Sequence, residues 1–103
     1  MTGEKKQTAR FPNHVRVEPP GGTVEVYTNF VESNWTPYDV RLRFSQVMHP
    51  NAELDPDKPI VINQRAAVTM AWAEAKFLRN LLTQLVDGFE KVNGEIKEPK
   101  IPT

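Results

Sequence analysis

Residues 60–94, IVINQRAAVTMAWAEAKFLRNLLTQLVDGFEKVNG, change hydrophobic period near Met70. Upstream of the join, side chains alternate every second residue, as on a strand. Downstream, apolar residues fall at Ala71, Ala75, Leu78, Leu82, Leu85, Phe89 and Val92, with steps of four and three. That change from a period of two to one near 3.6 predicts a strand followed by one long amphipathic helix over about 71–92. Phe77, Leu81 and Val86 widen the stripe, while Glu74, Arg79, Asn80, Thr83 and Asp87 keep to the other side. Asn93-Gly94 supplies a left-handed stop. Thr69 is the expected N-cap, and Trp72 is expected to pack back on the sheet.

Working outward from the join, Asn63-Gln64-Arg65 interrupts the strand at 60–70, so the segment is one bulged strand or two short ones. The loop 49–59 (HPNAELDPDKP) precedes it. Before that, DVRLRFSQVM over 39–48 is the cleanest alternation in the chain. Val40, Leu42 and Phe44 are expected on the core face, with Asp39, Arg41, Arg43 and Ser45 on a polar face. TVEVYTNFVES over 23–33 reads as the partner strand, joined through a hairpin loop of about five residues at 34–38. The fold class is therefore α+β: a small antiparallel sheet of three strands, or four if 60–70 divides, with a hairpin at 23–48 and one C-terminal helix. Residues 1–22 read as a flexible N-terminal arm, 23–94 as a single domain and 95–103 as a flexible C-terminal tail.

Composition narrows the function classes. Thirteen basic and thirteen acidic residues cancel, which argues against non-specific nucleic-acid or membrane binding. Cysteine is absent, so no disulfide framework, thiolate metal site or thiol nucleophile exists. No apolar run reaches a membrane span and no signal segment opens the chain, so a cytoplasmic protein without a membrane partner is expected. No cofactor is expected either.

Catalytic signatures are missing. His14 and His49 stand apart, and the run Asn51, Glu53, Asp55, Asp57 lacks the glycine and closing glutamate of a calcium loop. Ser33 and Ser45 have no neighbouring base and no nucleophile elbow. Gly21-Gly22 precedes a strand, not a helix N-terminus, so no phosphate cradle is read there. An enzyme is not expected.

Two surfaces remain. The helix stripe at Leu78, Leu81, Leu82, Leu85 and Phe89 carries more apolar surface than a three-stranded sheet needs to cover, and is the expected oligomer interface, in a homodimer or pair of dimers. Tyr27, Asn29, Trp35, Arg41 and Arg43 form an alternative partner surface, with Tyr27 and Asn29 expected across from the two arginines. The leading reading is a self-associating protein–protein interaction module. The alternatives are a nucleic-acid-associated regulatory protein using Arg41, Arg43, Arg65, Lys5, Lys6 and Arg10, and a holdase-like binder of unfolded chains.

The residues also carry a resemblance. Tyr27 and Asn29, Pro37 and Asp39, Phe44, Ala75 and Lys76, and Gly94 to Ile96, in order over roughly 24–96, resemble the prokaryotic family catalogued as domain of unknown function 3467. The resemblance supports fold and size and implies no activity. One departure lies at the helix start, where the family pattern has Ser-Pro and this chain has Ala71-Trp72.

Overall fold

The computed structural model describes residues 10–48, 57 and 59–98. Four elements follow in chain order: β1 (Phe30–Trp35), β2 (Asp39–Val47), β3 (Ile62–Ala71) and the helix α1 (Trp72–Asn93). The strands form one antiparallel sheet in the order β1-β2-β3, so the α+β class with a single C-terminal helix is what the chain adopts.

The first strand is shorter than the alternation suggests. It begins at Phe30, and Val24 and Val26 lie exposed before it. The cause is local competition for the ladder. The Thr28 hydroxyl donates to the Ser45 carbonyl at 2.7 Å, and the Asn29 backbone N–H donates to the same oxygen at 3.1 Å. The Asn29 side chain then takes both backbone groups of Val47: Nδ2 donates to the carbonyl at 2.9 Å, and Oδ1 accepts from the N–H at 2.8 Å. Side chains that imitate a peptide group end a strand in this way, because they satisfy the neighbouring strand without continuing it. Further upstream the chain turns at Gly21 and Gly22, both at positive φ, with the Gly22 N–H on the Pro19 carbonyl.

The hairpin is tighter than expected. Asn34 and Trp35 belong to β1, paired with Arg41 and Val40, which leaves Pro37-Tyr38 at the tip. Thr36 closes the turn. Its N–H donates to the Asp39 carbonyl at 2.9 Å, and its hydroxyl oxygen accepts from the N–H groups of Tyr38 and Asp39. That hydroxyl also donates to Asp39 Oδ1 at 3.0 Å.

β3 is one strand carrying a bulge. Phe44 pairs with Ala66 and Ser45 with Gln64, so Arg65 is the extra residue, inside the Asn-Gln-Arg patch. Its guanidinium donates to Gln46 Oε1 at 2.7 Å. Because the ladder runs on to Ala71, Thr69 is consumed by the sheet and does not cap the helix. Ala71 occupies the N-cap in extended conformation with no side-chain cap bond. The other end follows the sequence: Gly94 at φ 92° donates its N–H to the Glu90 carbonyl at 2.9 Å.

The core is thin. Among the described residues Val40 and Val47 are the buried hydrophobic ones, on opposite faces of β2, and Ser45 is fully buried. The expectation that Ser45 faces water fails because Phe30 stands directly opposite it, while Thr28 and Asn29 are tied across that end of the strand. Its hydroxyl has no hydrogen-bond partner.

Candidate interaction surfaces

α1 grows directly out of β3, with Ala71 the last strand residue and Trp72 the first helical one. With no connecting residue the helix cannot reverse and lie along its own sheet; such crossovers need a loop of two or more residues. It therefore stays near the sheet only in its first turns, where Ala75, Phe77, Leu78 and Leu81 are half-buried. The 22 residues span about 33 Å at 1.5 Å per residue. Beyond Leu81 the apolar stripe is open to solvent: Leu82 is 49 % exposed, Leu85 57 % and Phe89 54 %, with Val86 and Val92 also exposed. No residue of α1 is buried. Of the expected interface residues, Leu78 and Leu81 thus lie on the half-covered side and Leu82, Leu85 and Phe89 on the uncovered one.

Two anchors fix the helix start. Trp72 Nε1 donates to the Thr36 carbonyl at 2.9 Å, and its ring meets Trp35 edge-on at 6.1 Å between centroids. Trp72 thus packs back, but on the hairpin tip. Trp35, still 67 % exposed, is held by that contact. Trp72→Phe keeps the aromatic pair and removes the donor, and is expected to cost about 1 kcal/mol, the net worth of one hydrogen bond, in urea unfolding. Trp72→Ala costs more because the ring contact also goes.

The second anchor joins residues 64 positions apart. Arg10 donates to both carboxylate oxygens of Glu74, at 3.0 and 3.1 Å, and its guanidinium carbon sits 3.9 Å over the Phe77 ring centroid. Nothing in the sequence pairs these positions. The bidentate contact holds Glu74 below the usual carboxylate range and raises Arg10 further, chiefly through the side-chain hydrogen bonds. Since the carboxylate's folded value is the depressed one, the contact's contribution is complete above the ordinary Glu range. It is lost as pH falls through the depressed value. In NMR titration the Phe77 ring signals and the Arg10 guanidinium should shift together on acidification. A Phe77 environment insensitive to acid would contradict the contact.

The alternative surface does not assemble as expected. The register sets Arg41 opposite Asn34 and Arg43 opposite Glu32, because the tight turn closed by Thr36 and Asp39 slides β1 along β2 relative to the expected five-residue loop. Tyr27 is exposed outside the ladder. Asn29 is engaged with Val47. Arg41 is exposed, while Arg43 is half-buried with Nε buried and unpartnered. Of the other cations named for nucleic acid, Arg10 is bound to Glu74 and Arg65 to Gln46. Lys5 and Lys6 lie outside the described residues.

Among the described residues no three His, Cys, Asp or Glu side chains stand together for a metal ion. His14 Nδ1 lies 2.7 Å from the Phe11 carbonyl. His49 and Asn51 to Asp55 lie outside the described residues. Among those residues, too, no helix is long and apolar enough to cross a membrane.

A short antiparallel sheet that runs without a loop into a largely uncovered amphipathic helix defines a small α+β domain whose most prominent surface is apolar. The chain belongs to the family described as Protein of unknown function (DUF3467), whose model matches residues 1–98. The match takes in the segment read as an N-terminal arm, Arg10 included. No curated protein and no solved structure matches the chain.

Proposed function

We propose that this protein is a non-enzymatic, cytoplasmic, self-associating interaction module, and that the uncovered stripe of α1 is the contact between copies. The observation that carries the reading is the exposure of Leu82, Leu85, Val86 and Phe89 on one helix face. Contiguous apolar patches on soluble proteins mark contact sites, and a small chain gains stability by covering them. A second copy is the occupant this reading assigns, because every copy carries the same uncovered stripe and a twofold contact covers both at once. Zero net charge leaves no long-range repulsion between copies.

The engagement of Arg10 by Glu74 and of Arg65 by Gln46 gives less support to a nucleic-acid surface. Sedimentation velocity or light scattering of the full chain at micromolar concentration should report a dimer or a pair of dimers. A monomer overturns the proposal.

A further inference from the structure

β3 is the longest strand, and it lies at the edge of the sheet. Natural edge strands are short, or carry proline, lysine or inward-pointing charge, because an open row of peptide groups recruits other strands. After the Arg65 bulge, residues 66–71 (AAVTMA) contain no charge, no proline and no glycine. Ala67, Val68, Thr69 and Ala71 are exposed. The charge at the bulge does not guard this stretch, since Arg65 is turned onto Gln46 of β2.

The hydrogen-bond phase of the sheet says which peptide groups face outward. Thr36 N–H bonds the Asp39 carbonyl, Asn29 N–H bonds the Ser45 carbonyl, and Val47 bonds the Asn29 side chain, so the odd residues of β2 address β1. The even ones, Val40, Leu42 and Phe44, then address Met70, Val68 and Ala66. The peptide groups of Ala67, Thr69 and Ala71 therefore point away from the sheet. Among the described residues none of their N–H groups has a backbone partner, and the carbonyls of Ala67 and Thr69 are likewise open, while that of Ala71 at the N-cap starts the helix ladder.

We infer that this edge pairs with the same edge of a second copy, antiparallel about a twofold axis at Thr69, making one six-stranded sheet. Self-pairing in this register uses only groups that already face outward. It sets Thr69 against Thr69, Val68 against Met70 and Ala67 against Ala71, with no charge opposed to like charge. Threonine pairs and apolar cross-strand pairs are both favourable neighbours on a sheet. A second copy is the fitting occupant because the uncharged stretch is its own complement in antiparallel orientation. The surface differs from the helix stripe, so either contact can exist without the other.

The absence of cysteine makes the test clean. Thr69→Cys places two thiols across the axis, where paired Cα atoms are about 5.5 Å apart and within disulfide range. Under mild oxidation at ten-micromolar protein, covalent dimer should form roughly a hundredfold faster than from Thr83→Cys on α1, the ratio of a millimolar effective concentration to the free one. Crosslinking of Thr69→Cys no faster than of Thr83→Cys overturns the inference. If light scattering still shows an oligomer in that case, the helix contact stands alone; if it shows a monomer, both contacts fall. As a second variant, Thr69→Pro removes an outward N–H and leaves the bonds to β2 intact. It should weaken association at least about tenfold, with unchanged circular dichroism. Association as tight as the parent's overturns the inference equally.

Discussion

Leu85→Glu is expected to abolish the helix contact between copies at micromolar concentration without unfolding the protein, leaving only the pairing through the β3 edge. Leu85 sits mid-helix and is 57 % exposed within one chain, so the substitution removes little covered surface inside the monomer. Glutamate is also a good helix former, so the helical circular dichroism should be unchanged. Between copies the balance reverses. Losing the burial of one leucine costs about 1.5–3 kcal/mol, and a twofold contact loses it twice. Dissociation should strengthen by a factor of roughly a hundred to ten thousand at 1.4 kcal/mol per decade. Thr83→Glu, on the polar side of the same turn, should leave the assembly intact. Sedimentation equilibrium decides: a Leu85→Glu protein that associates like its parent removes the helix from the contact.

Asn29→Ala should be the most destabilising single change outside the core. The side chain spends its amide on the N–H and carbonyl of Val47, at 2.8 and 2.9 Å, and Val47 is buried. Truncation leaves two buried backbone groups unpaired. At about 1–2 kcal/mol each the loss is roughly 2–4 kcal/mol, a large share of the stability of so small a domain. For a chain of this size that corresponds to a fall in Tm of about 10–20 °C. Asn29→Asp separates the two bonds. It keeps the acceptor for the Val47 N–H but sets a carboxylate oxygen against the Val47 carbonyl, so it should rescue little. Thermal unfolding of the two variants measures this directly, and a Tm shift of a degree or two would mean that water takes over the Val47 groups.

The two variants also separate what was legible in the chain from what was not. The helix, its stripe and its glycine stop follow from spacing alone and fall within a residue or two of Trp72–Asn93. The second strand and the irregularity at Asn63-Gln64-Arg65 were equally plain. The start of the first strand was not. TVEVYTNF alternates as a strand should, yet residues 23–27 lie outside the ladder. Alternation records which residues could share a face; it does not record that Thr28 and Asn29 side chains outcompete the backbone for Ser45 and Val47. The partner surface at Tyr27, Asn29, Arg41 and Arg43 depended on a five-residue loop and loses its register to the tighter turn at Pro37-Tyr38. The link from Arg10 to Glu74 and Phe77 was invisible for another reason, since contacts 64 residues apart leave no periodic trace.

By itself the sequence determined the order of elements, the amphipathic stripe and the lack of thiol chemistry, because these depend on local period and composition. Tertiary structure decided where each surface ended up. It joined β3 to α1 without a loop, and a helix so joined cannot fold back to bury its stripe. It also left Ala66–Ala71 on an edge and not between two strands, which a strand's own residues do not specify. The change of period at Met70 is written in the chain; that both sides of it remain uncovered in one copy follows from how the pieces meet.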